Sequence, residues 1–161
     1  MADEPTPIEV PVEMSARCIA ALPQNKPFLF VDRMVTLLPG QEVHAEVSFA
    51  ADHPVFDGHL PGYPLVPGVI VIEALAQACG LVLMPEEMLY EAQSGNAPEK
   101  GFGYLAEVRR VRFKRAVLPG EVLTLHCKLG RAFGTAASFD VAASVGDEPA
   151  AEGEIIVGGM K

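Results

Sequence analysis

The 161-residue sequence is poor in cysteine and contains no tryptophan. Its three cysteines, Cys18, Cys79 and Cys127, lie far apart and form no CxxC pair. An odd number of widely spaced cysteines excludes a disulfide framework and a zinc knuckle, and a chain of this length can fold around one hydrophobic core without either. We therefore expect free thiols in a reducing compartment, the cytoplasm.

Basic residues are also scarce, since 12 Lys and Arg stand against 21 Asp and Glu and give a formal net charge of −9. The field of such a molecule repels a polyanion, which excludes nucleic acid as a partner. Five of the basic residues nevertheless lie close together in the sequence. This basic stripe consists of Arg109, Arg110, Arg112, Lys114 and Arg115.

A secretory signal is lacking as well, because residues 1–14 hold acidic residues and prolines where a signal has a basic region and then an apolar one. Residues 66–84 are mostly apolar, but Pro67, Glu73 and the acidic residues that follow argue against a membrane span. We expect no membrane partner. Residues 1–14 are predicted to form an N-terminal tail, and residues 15–161 a single domain.

Turn residues divide the chain into helix-forming and strand-forming stretches. Ser15 is predicted to cap a short helix that ends near Leu22, and a long apolar helix is predicted to follow Pro67 and to run to about Met84. Strands are predicted at residues 28–38, 41–50, 101–115, 121–131, 135–145 and 150–157. A polar loop is predicted at residues 91–100. An antiparallel sheet must bury one face and an apolar helix must be enclosed. The pattern therefore predicts an α+β hotdog fold, a curved antiparallel sheet wrapped around one long central helix.

Glu73 is a carboxyl group in the middle of this otherwise apolar helix. Burial of an unpaired carboxylate is costly, so we expect Glu73 to be protonated, hydrogen-bonded or facing a polar cavity. Gln77 follows one turn later on the same helix face, where it can hydrogen-bond to Glu73 or share its cavity. A carboxyl group with a purely structural role is the alternative.

His59 and Gly68 add two further chemical groups on the same loop and helix. His59 lies in a loop rich in glycine and proline, which fixes the backbone and leaves the ring free to act as a base. Gly68 begins the helix, where free N–H groups and the helix dipole stabilise an oxygen that gains negative charge. A base, a buried acid and an oxyanion-binding helix end are what removal of water from a β-hydroxy carbonyl compound requires. An ordinary loop histidine and an ordinary Pro-Gly helix start are the structural alternatives.

No metal or phosphate motif accompanies these groups. His53 and His59 lie near Asp52 and Asp57, but their spacing does not place two ligands on one regular element, so we expect no metal. The sequence also has no phosphate-binding loop, GxSxG motif or dinucleotide fingerprint.

The sequence around His59 and Glu73 resembles that of the FabZ-type 3-hydroxyacyl-acyl carrier protein dehydratases. Residues 56–69 read FDGHLPGYPLVPGV and residues 72–77 read IEALAQ, which is similar to the signature loop and helix of that family. Residues 27–33, PFLFVDR, resemble its first strand, and residues 112–115, RFKR, resemble a later one. The resemblance covers most of the chain.

This resemblance implies a role for each candidate residue. His59 takes the C2 proton of a 3-hydroxyacyl thioester, and protonated Glu73 helps the 3-hydroxyl to leave as water. The N–H of Gly68 holds the thioester carbonyl, and Gln77 completes the substrate-binding residues. The product is a trans-2-enoyl thioester, and no cofactor is needed.

The resemblance also implies an assembly and a partner. The family forms a hotdog homodimer, commonly a trimer of dimers, in which His59 of one subunit faces Glu73 of the other. The acyl chain is delivered by an acyl carrier protein, which is acidic. The basic stripe is then a candidate docking surface for the carrier, and a solvated strand face is its structural alternative.

Two positions depart from the family pattern, and two other functions stay open. Gln24 follows Leu22-Pro23 where the family usually has histidine, and Glu107 stands where it usually has glycine. These changes motivate one alternative, a catalytically weak hotdog subunit that completes a hetero-oligomer. The other alternative is a hotdog acyl thioesterase, in which Glu73 activates water.

Overall fold

The computed structural model describes residues 3–101 and 103–159. Seven strands form one antiparallel sheet in the order β1-β2-β3-β5-β6-β7-β4. Five residues lie outside the described part of the chain: 1 and 2 of the predicted tail, 102 of the predicted strand 101–115, and 160 and 161 of the predicted domain. The elements are β1 Ile8–Glu9, α1 Val12–Ala20, β2 Arg33–Leu38, β3 Glu42–Ser48, α2 Gly68–Val82, α3 Glu86–Gln93, β4 Tyr104–Phe113, β5 Val122–Phe133, β6 Ala136–Val145 and β7 Glu148–Gly158.

The central helix α2 packs on the middle of this sheet, mainly on β3 and β5. Leu75 and Leu81 of α2 are fully buried, as are Leu123, Leu125 and Phe139 of the sheet. These side chains belong to one hydrophobic core. The predicted hotdog fold is therefore confirmed, with α2 beginning directly after Pro67 as the proline position suggested.

The N-terminal helix differs from its prediction in how it begins. Helix α1 begins at Val12, not after a cap at Ser15, and Pro11 precedes it without a side-chain cap. Ser15 is buried, and its hydroxyl accepts a hydrogen bond from the N–H of Met34 at 2.8 Å. Ser15 therefore joins α1 to β2. The predicted boundary between tail and domain at residue 15 falls inside α1, and Ile8–Glu9 pairs with β2 as an edge strand.

Two local predictions are corrected around the central helix. Residues 86–93 form helix α3, which packs against α1, although much of the segment is polar and residues 91–100 were expected to be a loop. The first long strand begins at Arg33, not at Phe28. The backbone of Phe28 and Phe30 hydrogen-bonds to Gln77 of α2 and not to a neighbouring strand.

Strand β4 lies at the open end of the sheet order and is irregular. Its pairing with β7 slips by one residue between Leu105 and Glu107 and again between Arg109 and Arg112. Arg110 lies in the second of these β-bulges with a φ of 52°. Opposite it, a Cβ on Gly153 would come within 2.6 Å of the Cα of Val111. Only glycine therefore fits the close approach of β7 to this bulge.

Neither cysteine pairing nor a long membrane helix is present in the described part of the chain. Cys18, Cys79 and Cys127 are free and buried. Burial raises the pKa of the Cys18 thiol to about 11. Among residues 3–101 and 103–159 no single helix is long and apolar enough to cross a membrane. Helices α2 and α3 reach the necessary length and apolar character only when they are taken together, and they are separated by a 91° bend.

Candidate active site

Glu73 lies on α2 with one carboxylate oxygen fixed by the protein. Its Oε1 accepts a hydrogen bond from Nε2 of Gln77 at 3.0 Å, which confirms the predicted pairing along the helix. The same Nε2 donates to the carbonyl of Phe28 at 3.0 Å, and Oε1 of Gln77 accepts the N–H of Phe30 at 2.7 Å. Gln77 is 2% exposed. Its amide thus joins α2 to residues 28–30 and sets the orientation of the Glu73 carboxyl group.

Glu73 and Gln77 line a cavity of about 320 Å³ beside α2. The other walls come from the segment before β2, from α2 and from the sheet. They are Leu22, Pro23, Gln24, Phe28, Ala76, Gly80, Gly103, Tyr104, Leu105 and Val157. The walls are largely apolar, so an acyl chain fits them, and the carboxyl group of Glu73 supplies an acid or base at the surface of the cavity.

Gln24, one of the residues that line this cavity, has a buried polar atom without a partner among the described residues. The Oε1 atom of Gln24 is buried and accepts no hydrogen bond from any residue that the structure describes. A buried acceptor left in this state costs about 1–3 kcal/mol. Sequence comparison marked Gln24 as a departure from the family pattern, but the lack of a donor is visible only in the structure.

The backbone of the same wall is held by Lys100. Its Nζ donates to the carbonyls of Ala20, Leu22 and Gln24 at 3.2, 2.9 and 3.3 Å. The N–H of Gly101 adds a bond to the carbonyl of Ala21 at 2.8 Å. Sequence analysis missed Lys100, because a lysine in a polar stretch gives no signal for contacts with a segment so distant in the chain.

Gly68 lies at the N-terminus of α2 but outside the Glu73 cavity. A Cβ at this position would lie 2.8 Å from Cζ of Phe113 on β4, so the missing side chain makes room for an aromatic ring of the same chain. The N–H groups of Ile70 and Val71 bond to the Pro67 carbonyl. Within the described residues the N–H of Gly68 has no acceptor, so it is available to an oxyanion.

His59 lies apart from this arrangement on an exposed loop. Residues 57–64 are all exposed, and His59 makes no hydrogen bond or ion pair with the residues that the structure describes. Its ring does not belong to the described lining of the Glu73 cavity. One chain thus brings Glu73 and Gln77 together but leaves His59 and Gly68 outside their cavity.

Comparison with known proteins identifies the family of the chain. The FabA-like domain model matches residues 22–154, which is most of the chain. The chain belongs to the FabA-like family. It is 40% identical over 134 residues to the 3-hydroxyacyl-[acyl-carrier-protein] dehydratase FabZ of Ruminiclostridium cellulolyticum, covering 83% of this chain and 88% of that protein. It is 42% identical over 135 residues to the protein of that name from Paracidovorax citrulli, covering 84% and 88%.

A solved structure supports the fold of this FabA-like chain. The dehydratase heterocomplex ApeI:P from Xenorhabdus doucetiae matches with a TM-score of 0.68 and 22% sequence identity, covering 86% of this chain and 87% of that one. At this identity the likeness concerns the fold.

The basic stripe of this FabA-like chain is matched by acidic residues. Four of its five cations lie within 4 Å of a carboxylate oxygen, and Arg112 has no such partner among the described residues. The partners are Glu107, Glu121, Glu148, Glu152 and Glu154. Hydrogen bonds from Arg109 lower the pKa of Glu107, and those from Arg115 lower that of Glu121. Four of the five positive charges are therefore paired with five carboxylates, and the stripe is not a bare positive surface.

Proposed function

We propose that the chain removes water from a 3-hydroxyacyl thioester carried on acyl carrier protein and forms a trans-2-enoyl thioester in fatty acid biosynthesis. The observation that carries this proposal is the Glu73 carboxyl group, oriented by Gln77 at the surface of an apolar cavity. Membership in the FabA-like family and the relatives named as 3-hydroxyacyl-[acyl-carrier-protein] dehydratases support it. The enzyme is a hydro-lyase.

The reaction needs two proton transfers and one stabilised oxygen. The imidazole of His59 takes the proton from C2, and the electron pair of that C–H bond forms the double bond between C2 and C3. The bond from C3 to oxygen breaks as the acid form of Glu73 gives its proton to the leaving hydroxyl, so that water departs. The N–H of Gly68 holds the thioester oxygen while negative charge develops there. The reaction involves no oxidation or reduction, so these residues suffice without a cofactor.

Gln77 is best described as a positioning residue in this mechanism. The oxygen of its side-chain amide accepts from Phe30, and the NH2 group donates to Phe28 and Glu73. We infer that it holds the Glu73 carboxyl group toward the cavity and keeps the wall at residues 28–30 in place. It thereby supports the substrate site that the sequence assigned to it.

The site is completed by a second copy of the chain. His59 is exposed and apart from the Glu73 cavity in one chain, so a homodimer in which the His59 loop covers the cavity of its partner brings the two groups together. Exposed apolar side chains mark the surface for this contact. They are Leu60, Tyr63, Val69, Tyr104, Val108 and Phe113, on the loop, the start of α2 and edge strand β4. A trimer of such dimers is the assembly we expect in solution.

We propose that the acyl carrier protein docks on the basic stripe, chiefly at the two cations that are least involved in ion pairs. The side chain of Arg110 is 81% exposed and lies 3.7 Å from Glu154. Arg112 is exposed and has no ion pair within the described residues. These two residues present positive charge to an acidic carrier even though the stripe as a whole is balanced.

Mass spectrometry of a panel of 3-hydroxyacyl carrier proteins tests the reaction. Incubation with the purified chain is expected to remove the mass of one water from the acyl group and to leave the thioester intact. Release of free acid and carrier thiol would contradict the proposal and favour a thioesterase. No change with the chain alone, and turnover once a partner protein is added, would favour a subunit of a hetero-oligomer.

A further inference from the structure

His53 stands at the beginning of the segment that leads to His59, and its ring makes two contacts within its own chain. The Nδ1 atom accepts a hydrogen bond from the N–H of Val55 at 3.1 Å. The ring also meets the ring of Phe49 in an edge-to-face arrangement, with the centroids 5.2 Å apart and an angle of 80° between the planes. Phe49 is fully buried. The half-buried histidine is thereby braced against the core, although the proposed mechanism gives it no task.

The bond from Val55 caps a single turn of 3₁₀ helix, Pro54–Phe56. The first N–H groups of a helix have no partner within it, and an acceptor on the preceding side chain satisfies one of them. The N–H of Phe56 donates to the carbonyl of His53 and closes the turn. Side chain and backbone of His53 thus both hold the turn, and the turn sets the direction in which the chain continues.

This turn is the fixed point nearest to His59 in the sequence. Phe56, at its end, is buried, and residues 57–64 after it are exposed. Within the described residues, the next bond to a distant segment runs from the N–H of Val66 to the carbonyl of Val117 at 2.8 Å. His59 follows Phe56 far more closely than it precedes Val66. The orientation of the turn therefore determines where the loop carries the imidazole, and a second copy of the chain has only to cover the loop.

The aromatic contacts of His53 continue to the acid half of the site. The ring of Phe49 packs on that of Phe30, with centroids 6.0 Å apart, and the N–H of Phe30 bonds to Gln77. Both phenylalanines are buried in the core. Because a close-packed core leaves its side chains little freedom, the turn is held at a defined position relative to α2.

We propose that His53 is a positioning residue, which caps the Pro54–Phe56 turn and so keeps the loop on the path that brings His59 to the C2 proton. This inference rests on the proposed function and adds to it a support for the base within the chain that carries the base. Loss of the cap releases the turn and displaces the imidazole, and small displacements of a reacting group cost up to about a hundredfold in rate. Acyl-chain binding is unaffected, since His53 is not among the described residues that line the Glu73 cavity.

Two substitutions of equal shape isolate the cap. His53→Asn keeps an acceptor where Nδ1 lies, whereas His53→Leu has the same branched shape and no acceptor, and both lose the ring contact with Phe49. His53→Ala, a smaller variant without an acceptor, should behave like His53→Leu. The matched control is the same pair at the exposed neighbouring residue, Asp52→Asn and Asp52→Leu.

Initial rates with a 3-hydroxyacyl carrier protein give kcat and KM for each variant. We expect kcat of His53→Leu to be about ten- to hundredfold below that of His53→Asn at an unchanged KM. The two Asp52 variants should agree within about twofold. Hydrogen exchange of the Val55 amide, followed by NMR on the free protein, reports the cap without substrate and should be about two- to thirtyfold faster in His53→Leu than in His53→Asn.

Equal kcat values for His53→Asn and His53→Leu would overturn the proposal, and so would a difference in KM alone. A lower kcat in His53→Leu with equal exchange of the Val55 amide would also overturn it, because the cap would then not be the cause. Failure of the proposed function is seen separately, since the unaltered chain would then remove no water from the substrate. In that case the role of His53 in the reaction fails with it, whatever the exchange rates show.

Discussion

The two candidate catalytic residues lie in regions that are held very differently. Glu73 lies on a helix in the core, and a buried glutamine orients its carboxyl group and joins it to the backbone at Phe28 and Phe30. His59 lies in a loop of exposed residues, whose backbone bonds are short-range: the N–H of Asp57 donates to the carbonyl of Pro54, and that of Tyr63 to the carbonyl of Leu60. The acid is thus fixed by its own chain, whereas the base is not.

This difference teaches which part of the site depends on assembly. Efficient proton transfer needs both groups held close to the reacting atoms, because small displacements are costly. A single chain meets this condition at Glu73 only. The apolar side chains of Leu60 and Tyr63 are exposed on the loop beside His59, and a second copy is the surface that would bury them and fix the histidine.

Removal of either group is expected to have the largest effect. His59→Ala and Glu73→Gln should each lower kcat by about 10²–10⁴-fold, because each removes one proton transfer. The measurement is the initial rate of enoyl thioester hydration, with Glu86→Gln on α3 as a control that removes an exposed carboxylate. A variant at either site that retains full activity, with native circular dichroism, would refute the assigned role.

Mixing the two inactive variants tests whether the site is shared. If His59 and Glu73 of one site come from different chains, a mixed dimer has one site with both residues intact. Random exchange of equal amounts should then restore about a quarter of the unaltered activity, since half of the dimers are mixed and each has one active site. Recovery is measured after co-refolding of the two variants. A mixture that stays as inactive as its components would place both residues in the same chain.

The free energy of unfolding should depend more on Gln77, which holds the Glu73 half of the site, than on His59 in the exposed loop. Gln77→Met leaves the N–H of Phe30 and the carbonyl of Phe28 without partners, which should cost about 2–5 kcal/mol in the free energy of unfolding. His59→Ala should change it by about 0.5 kcal/mol or less, since the ring is exposed and unbonded in one chain. Urea denaturation at a concentration that keeps the chain monomeric measures both. Similar costs for the two variants would contradict the comparison.

Lys100 gives the smallest of the expected effects. Lys100→Met removes the ammonium that bridges three carbonyls of the cavity wall at residues 20–24, but the residue is exposed and water can replace it. A loss of about 1 kcal/mol in stability is expected, with a rise in KM larger than the fall in kcat. Lys26→Met, an exposed lysine next to the same wall, is the control and should change neither value. A fall in kcat at constant KM would instead connect Lys100 to the chemistry.

The sequence predicted the parts of this fold that depend on local pattern. The long apolar helix after Pro67, the hairpin of β2 and β3 and the later strands were found close to their predicted positions. The hydrogen bond between Gln77 and Glu73 was predicted for the same reason, because residues four apart share a helix face. Helix α3 was missed, since its eight residues have too few apolar positions for a clear period.

Contacts between distant segments were not predictable in the same way. The partners of the basic stripe on β7, such as Glu152 and Glu154, depend on the register of two strands whose pairing includes two bulges. The bond between Lys100 and residues 20–24 likewise joins parts of the chain far apart in sequence. The separation of His59 from Glu73 depends on where a loop of glycine and proline leads, which composition does not specify.

The two bulges of β4 have a consequence for how this strand can vary. Each bulge adds one residue on β4 relative to β7 and so reverses which side chains face the core, much as a single inserted base shifts a reading frame. A second insertion restores the frame, and the half-exposed ring of Phe113 lies against Gly68 at the start of α2. Loss of one residue from a single bulge would turn the ring of Phe113 away from Gly68. The length of β4 is therefore constrained in steps of two residues along its whole path to the start of α2.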